Sequence, residues 1–310
     1  MKKILVLAAL LPLLFACTKQ PGTNNGRIDP ADAPALPPTP SKEYAAKFDI
    51  PAQTELFNHF RSIEFTGEGN YTLVMPAKDD EGKPIADEVL IKSGTYKIGT
   101  GSDEKTTIYE LTDDNATVTV QPVTKFTLAE MLITISYASV NYQGAAIAAA
   151  QFDNTTFNQS ICRVWQIVDT DLMVQGANGF SFGKIYQGCD FEAITKDLAD
   201  QKINIDASKF AGLKVNTIEI SESKTLKIVF TNGSEHYGDF TSFDNNGNFA
   251  YKVAATTQAN IFFDGNVTGS VSFQFINRKI MPVLSISSSF KEESTGKVYD
   301  TQISFTLKQQ

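Results

Sequence analysis

Apolar and polar residues alternate along most of this 310-residue chain, and a period of two marks strands with one buried and one solvated face. In "NYTLVMP", "SGTYKIG", "TTIYEL" and "ATVTVQP" the pairs Tyr71 and Leu73, Tyr96 and Ile98, and Val118 and Val120 fall on single faces. The pattern predicts antiparallel strands of an N-terminal sheet, with turns at "GTGSDEK" and "TDDNA". Two segments break the alternation. "DIPAQTELFNHF" is spaced as a helix, with Pro51 in the first turn and Leu56, Phe57 and Phe60 on one side. Thr127 and Glu130 form a capping box at the head of "TLAEMLITISYASVNYQGAAIAAAQF", which predicts a second helix, while the β-branched Thr134, Ile135 and Val140 leave a strand open.

The C-terminal half carries the cleaner pattern. "VWQIVDTDLMVQGANGFSFGKIY" predicts a strand, a turn at "GANG" and a returning strand. "DFEAITKDLADQ" follows as a helix, with Asp190 as N-cap and Phe191, Ile194 and Leu198 on one face. Short strands then come in succession: "NTIEIS", "TLKIVFT", "HYGDFTSF", "NFAYKVA", "NIFF", "SVSFQFI", "VLSISSSF" and "VYDTQISFTL". Turn signals such as "TNGS", "DNNGN" and "DGNVTG" separate them, as hairpins of a meander require. The expected fold is mainly β with a few helices: an antiparallel N-terminal sheet, then a C-terminal barrel or two-sheet sandwich.

The first residues obey a different pattern. Lys2 and Lys3 precede an apolar run from Ile4 to Phe15 and a small residue, Ala16, which is the organisation of an export signal. The run is shorter than the roughly 20 apolar residues a membrane-spanning helix needs. "Leu14-Phe15-Ala16-Cys17" resembles the lipobox of bacterial lipoproteins, although Phe15 stands where a small or β-branched residue is usual. The resemblance implies cleavage after residue 16 and a lipid on Cys17. Residues 18–42 then hold six of the twelve prolines and two glycines, and almost no large apolar side chains. Such a composition cannot offset the entropy of folding and predicts a tether reaching up to roughly 75 Å. The expected organisation is a signal peptide at 1–16, an acylated cysteine and tether at 17–42, an N-terminal α+β domain at 43–154 and a C-terminal β domain at 155–310.

Once residues 1–16 are gone, 25 basic residues face 35 acidic ones. An acidic surface argues against nucleic acid as a partner and against electrostatic adhesion to anionic lipid, leaving the acyl chains to hold the protein at the membrane. Cys162 and Cys189 form an even pair in the folded part, which in an exported protein can form a disulfide or remain as buried thiols. Neither lies in a CxxC, and the two histidines are His59 and His236, so the usual zinc sites are not expected.

The remaining motifs point away from catalysis. "GFSFG", Gly179 to Gly183, matches the nucleophile elbow with Ser181 as nucleophile and His236 as base. An elbow needs a helix directly after the serine, and a strand is expected there instead. "GTGSDE" lacks the third glycine of a dinucleotide loop, "DNNGN" has its glycine at the fourth rather than the sixth position of a calcium loop, and "DDEG" reads as a solvated turn. No cofactor is expected. Paired carboxylates for glycoside hydrolysis, which meet only in space, stay open.

"ICRVWQIVDTDLMVQG", "DFEAITKDLADQKINID" and the strand-rich tail together resemble lipoproteins of the Bacteroidota that carry a lipocalin-like domain of unknown function, over roughly residues 155–310. True lipocalins open with Gly-x-Trp, and here Cys162, Arg163 and Val164 precede Trp165, which reads as a core residue near the barrel floor. The resemblance implies a barrel, an outer-membrane location and a role in binding. One expectation is a calyx for a small apolar or amphipathic ligand, supplied by some of the 22 phenylalanines. The alternatives are a structural or interaction subunit of a surface assembly with an envelope protein partner, and a glycan-binding accessory protein. No acidic cluster follows Cys17, which favours the periplasmic leaflet over the cell surface.

Overall fold

A computed structural model describes residues 27–28, 42–102, 105–123, 130–152, 156–241, 243–244, 246–253, 267–292 and 294–310. The alternating segments form strands throughout. After β1 (Arg27–Ile28), they run β2 (Ala46–Asp49), β3 (Ser62–Phe65), β4 (Asn70–Lys78), β5 (Pro84–Ile98), β6 (Thr107–Leu111), β7 (Ala116–Pro122), β8 (Glu130–Tyr137) and β9 (Val140–Ala148). From β2 each strand pairs with the next, and β9 returns to β2 through Phe48 opposite Ala148, closing an eight-stranded barrel. Closure removes both sheet edges.

A barrel of eight strands is just wide enough for its own side chains to fill. The inward positions are those the alternation marks: Tyr71, Leu73, Tyr96, Val118, Val120, Ile133 and Ile135 are all buried. Phe65 stacks on Tyr109 with centroids 3.6 Å apart and meets Tyr96 edge-on at 5.1 Å, so aromatic rings meet in contact inside the barrel.

Both predicted helices of this half are corrected. "DIPAQTELFNHF" forms only a short 3-10 turn over Glu55–Asn58, whose Leu56 and the following Phe60 plug the core. The stretch after Glu130 is the β8–β9 hairpin, turned at Ala138 and Ser139 with φ of 50° and 63°. The β-branched side chains favour the pleat and outweigh the capping signal; Thr127, half of that capping box, lies outside the described residues. The N-terminal unit is therefore a barrel with no α-helix among its described residues.

The second barrel follows α1 (Thr156–Ile161). Its elements are β10 (Arg163–Gly176), β11 (Ser181–Gln187), α2 (Phe191–Asp200), β12 (Val215–Ile220), β13 (Thr225–Phe230), β14 (Glu235–Phe240), β15 (Asn248–Val253), β16 (Val267–Ile276), β17 (Lys279–Lys291) and β18 (Val298–Gln309). The pairing order β10-β12-β13-β14-β15-β16-β17-β18 returns to β10, again an antiparallel closed ring of eight. One edge of the long β10 pairs with β18, and the other takes β12 at residues 163–165 and β11 at residues 169–175. β1 adds to β16. The strand expected at "NIFF", residues 260–263, lies outside the described residues.

Helix α2 is capped as its sequence predicts: Asp190 accepts a hydrogen bond from the Ala193 N–H, and Phe191, Ile194 and Leu198 are buried. Phe157 of α1 joins Phe152, Phe240, Phe243 and Phe249 in an aromatic cluster. Trp165 is a core residue whose indole donates to the Ile161 carbonyl at 2.9 Å.

The two barrels meet outer wall to outer wall across a charged seam. Glu219 and Lys227 are cross-strand partners on the second barrel, 3.0 Å apart and only 4 % and 6 % exposed. Glu219 also accepts from Thr66 (2.7 Å) and Asn70 (2.9 Å) of the first barrel, and Lys227 reaches Thr72 at 3.2 Å. In the opposite direction Glu64 of the first barrel accepts from Thr225 at 2.7 Å and Tyr237 at 3.0 Å, and Ser221 also donates to it. Lys47 pairs with Asp239. Burial works against the charges of Glu219, Lys227, Glu64 and Lys47. For Glu219 and Lys227 the mutual attraction prevails, holding the carboxyl below and the ammonium above their ordinary values. For Glu64 burial prevails over Lys47 and the three hydroxyls, and its carboxyl is pushed up.

Removing one member of a buried pair strands the other in low dielectric. Lys227→Met is expected to cost about 3–5 kcal/mol in urea unfolding, and adding Glu219→Gln to recover part of that loss. A double variant no more stable than the single one would mean that the pair does not act as a unit.

Candidate functional site

The residues singled out by sequence are scattered by the fold. Ser181 is exposed at the start of β11, opposite Gln175, and strand residues follow it where an elbow has its helix. His236 lies on the inward face of β14 opposite Ile228, fully buried. An outward serine on β11 and an inward histidine on β14 do not make a nucleophile and base. His59 is half-buried with its ring 4.5 Å from that of Tyr142. Asp79 and Asp244 hold turns by accepting N–H groups from their own loops, Glu81 and Lys83 in the first and Asn246 and Asn248 in the second. Among the described residues no His, Cys, Asp and Glu side chains cluster as metal ligands would.

Cys162 and Cys189 are both buried, and neither is in a disulfide. A bridge between them is not formed, and strand geometry explains why. Gly188 donates to the Val168 carbonyl, which places Cys189 beside the middle of β10, whereas Cys162 precedes its first residue. Six residues of strand separate the two points by roughly 20 Å, against the 4.4–6.8 Å between Cα atoms that a disulfide tolerates. Burial pushes the Cys189 thiol up to about 12, leaving it inert.

Neither does the second barrel open into a calyx at its described middle layers. A void wide enough for water would give accessible area to the side chains around it. Leu172, Val174, Ile218, Ile228, Leu284 and Phe305 have none. Gly269 lets the Phe249 ring lie across the strand, since a Cβ there would sit 2.3 Å from a ring atom.

The concave surface of this barrel is outside. On the wall formed by β15, β16, β17, β18 and β10, two adjoining hollows of about 370 Å³ and about 480 Å³ share Thr268, Ser287 and Gln302. Strand register builds them in rows. Thr268 lies opposite Ser287, Ser287 opposite Gln302, and Gln302 opposite Met173. The next row runs Asn248, Ser270, Ser285, Ser304 and Asp171, with Ser285 and Ser304 hydroxyls 2.8 Å apart. A third joins Ser289, Asp300 and Gln175. The result is a lattice of hydroxyls and amides with carboxylates at Asp171 and Asp300. Its chemistry is that of multiple shallow hydrogen bonds, with small side chains that leave room for a ligand.

Sequence reasoning missed this wall. "VLSISSSF" was legible as a strand, and its serines, poor strand formers, were a signal that packing alone did not choose them. What it lacked was the four neighbouring strands, of which β10 lies more than a hundred positions earlier in the chain.

Comparisons with known proteins add loose likenesses. No family model matches the chain, and no curated protein matches it. Among solved structures, a candidate outer membrane protein from Bacteroides fragilis overlaps with a TM-score of 0.25 and 12 % identity, over 84 % of this chain and 94 % of that one. Transferrin binding protein B from Haemophilus parasuis, a vaccine antigen, overlaps in a double-mutant form with a TM-score of 0.24 and 10 % identity, over 84 % of this chain and 56 % of that one. A single-mutant form gives 0.23 and 9 %. This chain thus spans a little over half of the transferrin binding protein. Overlaps at these scores assign no activity.

His236 generates a pH dependence of known sign. Burial lowers its imidazole from 6.5 to about 3. Between those values the unfolded chain takes a proton that the native one refuses, so stability present in full above pH 6.5 falls as pH drops, by up to about 1.4 kcal/mol per unit. His236→Leu is expected to lose this slope. The stability difference between wild type and variant, measured in urea from pH 7 to pH 4, should shift in favour of the variant; a constant difference would show that the native histidine charges normally.

Proposed function

We propose that this protein is a lipid-anchored component of the bacterial outer envelope that acts by binding rather than catalysis, and that it binds on the outer wall of its C-terminal barrel. The observation that carries the proposal is the row-wise lattice of Ser285, Ser287, Ser289, Thr268, Ser270 and Gln302 around adjoining hollows. Hydroxyls and amides without a large apolar floor suit a polyhydroxylated ligand, so a glycan fits this wall better than the small apolar molecule that an open calyx would take. The filled middle layers of the barrel support the same preference. In this role Cys17 carries the acyl chains that hold the protein at the outer membrane, on its periplasmic leaflet, and the domains divide near residue 154. A soluble envelope protein bearing glycans is a partner of the same chemistry.

Binding of the acylated protein to a glycan array tests this. Ser287→Trp places a ring in both hollows from an outward strand position, and is expected to weaken binding at least roughly tenfold, about 1.4 kcal/mol, without shifting the unfolding midpoint. Silence of the wild-type protein on the array, with a denaturant-released extra mass in native mass spectrometry, would return the site to the barrel interior. Mass spectrometry of the intact mature chain checks the anchor: it should begin at Cys17 and carry three acyl chains.

A further inference from the structure

β1 joins β16 in an antiparallel pair, Arg27 opposite Gln274 and Ile28 opposite Phe273. The N-terminal end of β1 therefore points the way β16 runs forward, toward the turn between β16 and β17. From Arg27 back to Cys17 is ten residues, at most about 35 Å of fully extended chain. The leash that matters is thus much shorter than a tether running to residue 42, and it starts at one end of the C-terminal barrel.

That end carries an exposed apolar pair. Phe275 and Ile280 are cross-strand partners, 59 % and 46 % exposed, with Ile276 and Met281 half-buried beside them. The hairpin turns through Asn277 and Arg278, both with positive φ (49° and 63°), the geometry of a two-residue type I′ turn. Glycine would suit the second position best; an arginine there is disfavoured and sets a cation at the tip, followed at once by Lys279. From residue 265 to residue 291 the sequence holds no aspartate or glutamate, in a chain whose net charge is −8. An acidic protein is repelled as a whole by anionic lipid. Beyond residue 42 this hairpin is one of the two longest acid-free stretches, and unlike the other, residues 131–152, it carries cations, at Arg278, Lys279 and Lys291.

We propose that the tip of the β16–β17 hairpin inserts into the bilayer that holds Cys17, with Phe275 and Ile280 at the acyl boundary and Arg278 and Lys279 among the headgroups. This rests on the lipid-anchored reading. It also goes beyond it, because a docked hairpin turns a loose tether into a fixed orientation. Thr268 lies eight residues along β16 from Ile276, so the hydroxyl-lined wall stands roughly 25 Å above the lipid surface with its long axis along the membrane normal. A protein partner is a weaker occupant of this tip, since Arg27 is paired at the same end of the barrel, ten residues from Cys17.

Phe275→Trp and, as control, Ile185→Trp, exposed on β11, are prepared in the full acylated protein and reconstituted into phosphatidylcholine–phosphatidylglycerol vesicles with and without brominated acyl chains. The native Trp165 is buried and contributes equally to both. A ring at a depth of about 5–10 Å meets the bromines, so Phe275→Trp is expected to lose roughly half of its added emission and Ile185→Trp none. Unquenched Phe275→Trp in a sample whose intact mass shows acylation would overturn the docking and leave the anchor standing. Equal quenching of both variants would overturn it as well, as a barrel lying on its side. A mature chain without acyl groups would overturn the anchor and the docking together.

Discussion

The Glu219–Lys227 pair is the constraint on which the arrangement of the two barrels depends. Each barrel closes on itself and could satisfy its own backbone, so nothing in the strand ladders requires them to touch. What joins them is a set of charges withdrawn from water, each compensated from across the seam: Thr66 and Asn70 on Glu219, Thr72 on Lys227, Ser221, Thr225 and Tyr237 on Glu64. Hydrophobic contact is tolerant of small slips, whereas a buried carboxylate is not. A displaced seam would strip these buried charges of the hydrogen bonds they receive from the opposite barrel and part Lys47 from Asp239, and a buried charge left unsatisfied is costly, so the relative placement of the barrels is correspondingly specific.

Among the described residues the middle layers of both barrels are filled by side chains, and the two adjoining hollows lie on an outer wall. One outer wall is consumed by the seam. On the C-terminal barrel the opposite strands, β16 to β18 and β10, present the serine-rich lattice, and the free end of the same hairpin presents Phe275 and Ile280. The hairpin end, the serine-rich wall and the seam are thus three separate regions of one small barrel: the wall and the seam are made by outward-facing positions, and Phe275 and Ile280 continue the inward row of Val271 and Phe273 beyond the end of the core. The inward positions are mostly apolar, with His236, Thr170, Ser288 and Thr301 among the polar exceptions, and they contribute chiefly stability.

The strands were legible in sequence because burial on one face imposes a period of two, and residues such as Tyr71, Leu73, Val118 and Val120 fall inward as the alternation marks them. Helix α2 was legible to its cap, since Asp190 and the Phe191, Ile194, Leu198 stripe are local signals. The N-terminal helices were not, because the capping box at Thr127 and Glu130 and the spacing of Leu56, Phe57 and Phe60 are also local, and the barrel overrode them. The cysteine pair stayed open for a related reason: sequence counts thiols, and only the fold shows Cys162 ahead of β10 and Cys189 beside its middle.

By itself the sequence determined the β class, the alternation of faces, and the strand after Ser181 where an elbow would need a helix. Tertiary structure alone decided which polar faces are solvent-exposed and which are sealed. Glu64, Glu219 and Lys227 sit in strand patterns no different from those of Ser285 or Gln302, all polar and all pointing away from a barrel interior. Alternation states that a side chain faces outward; it carries no information about what lies outside. That is set by contacts between residues more than a hundred positions apart, and it separates a buried ion pair from a binding wall.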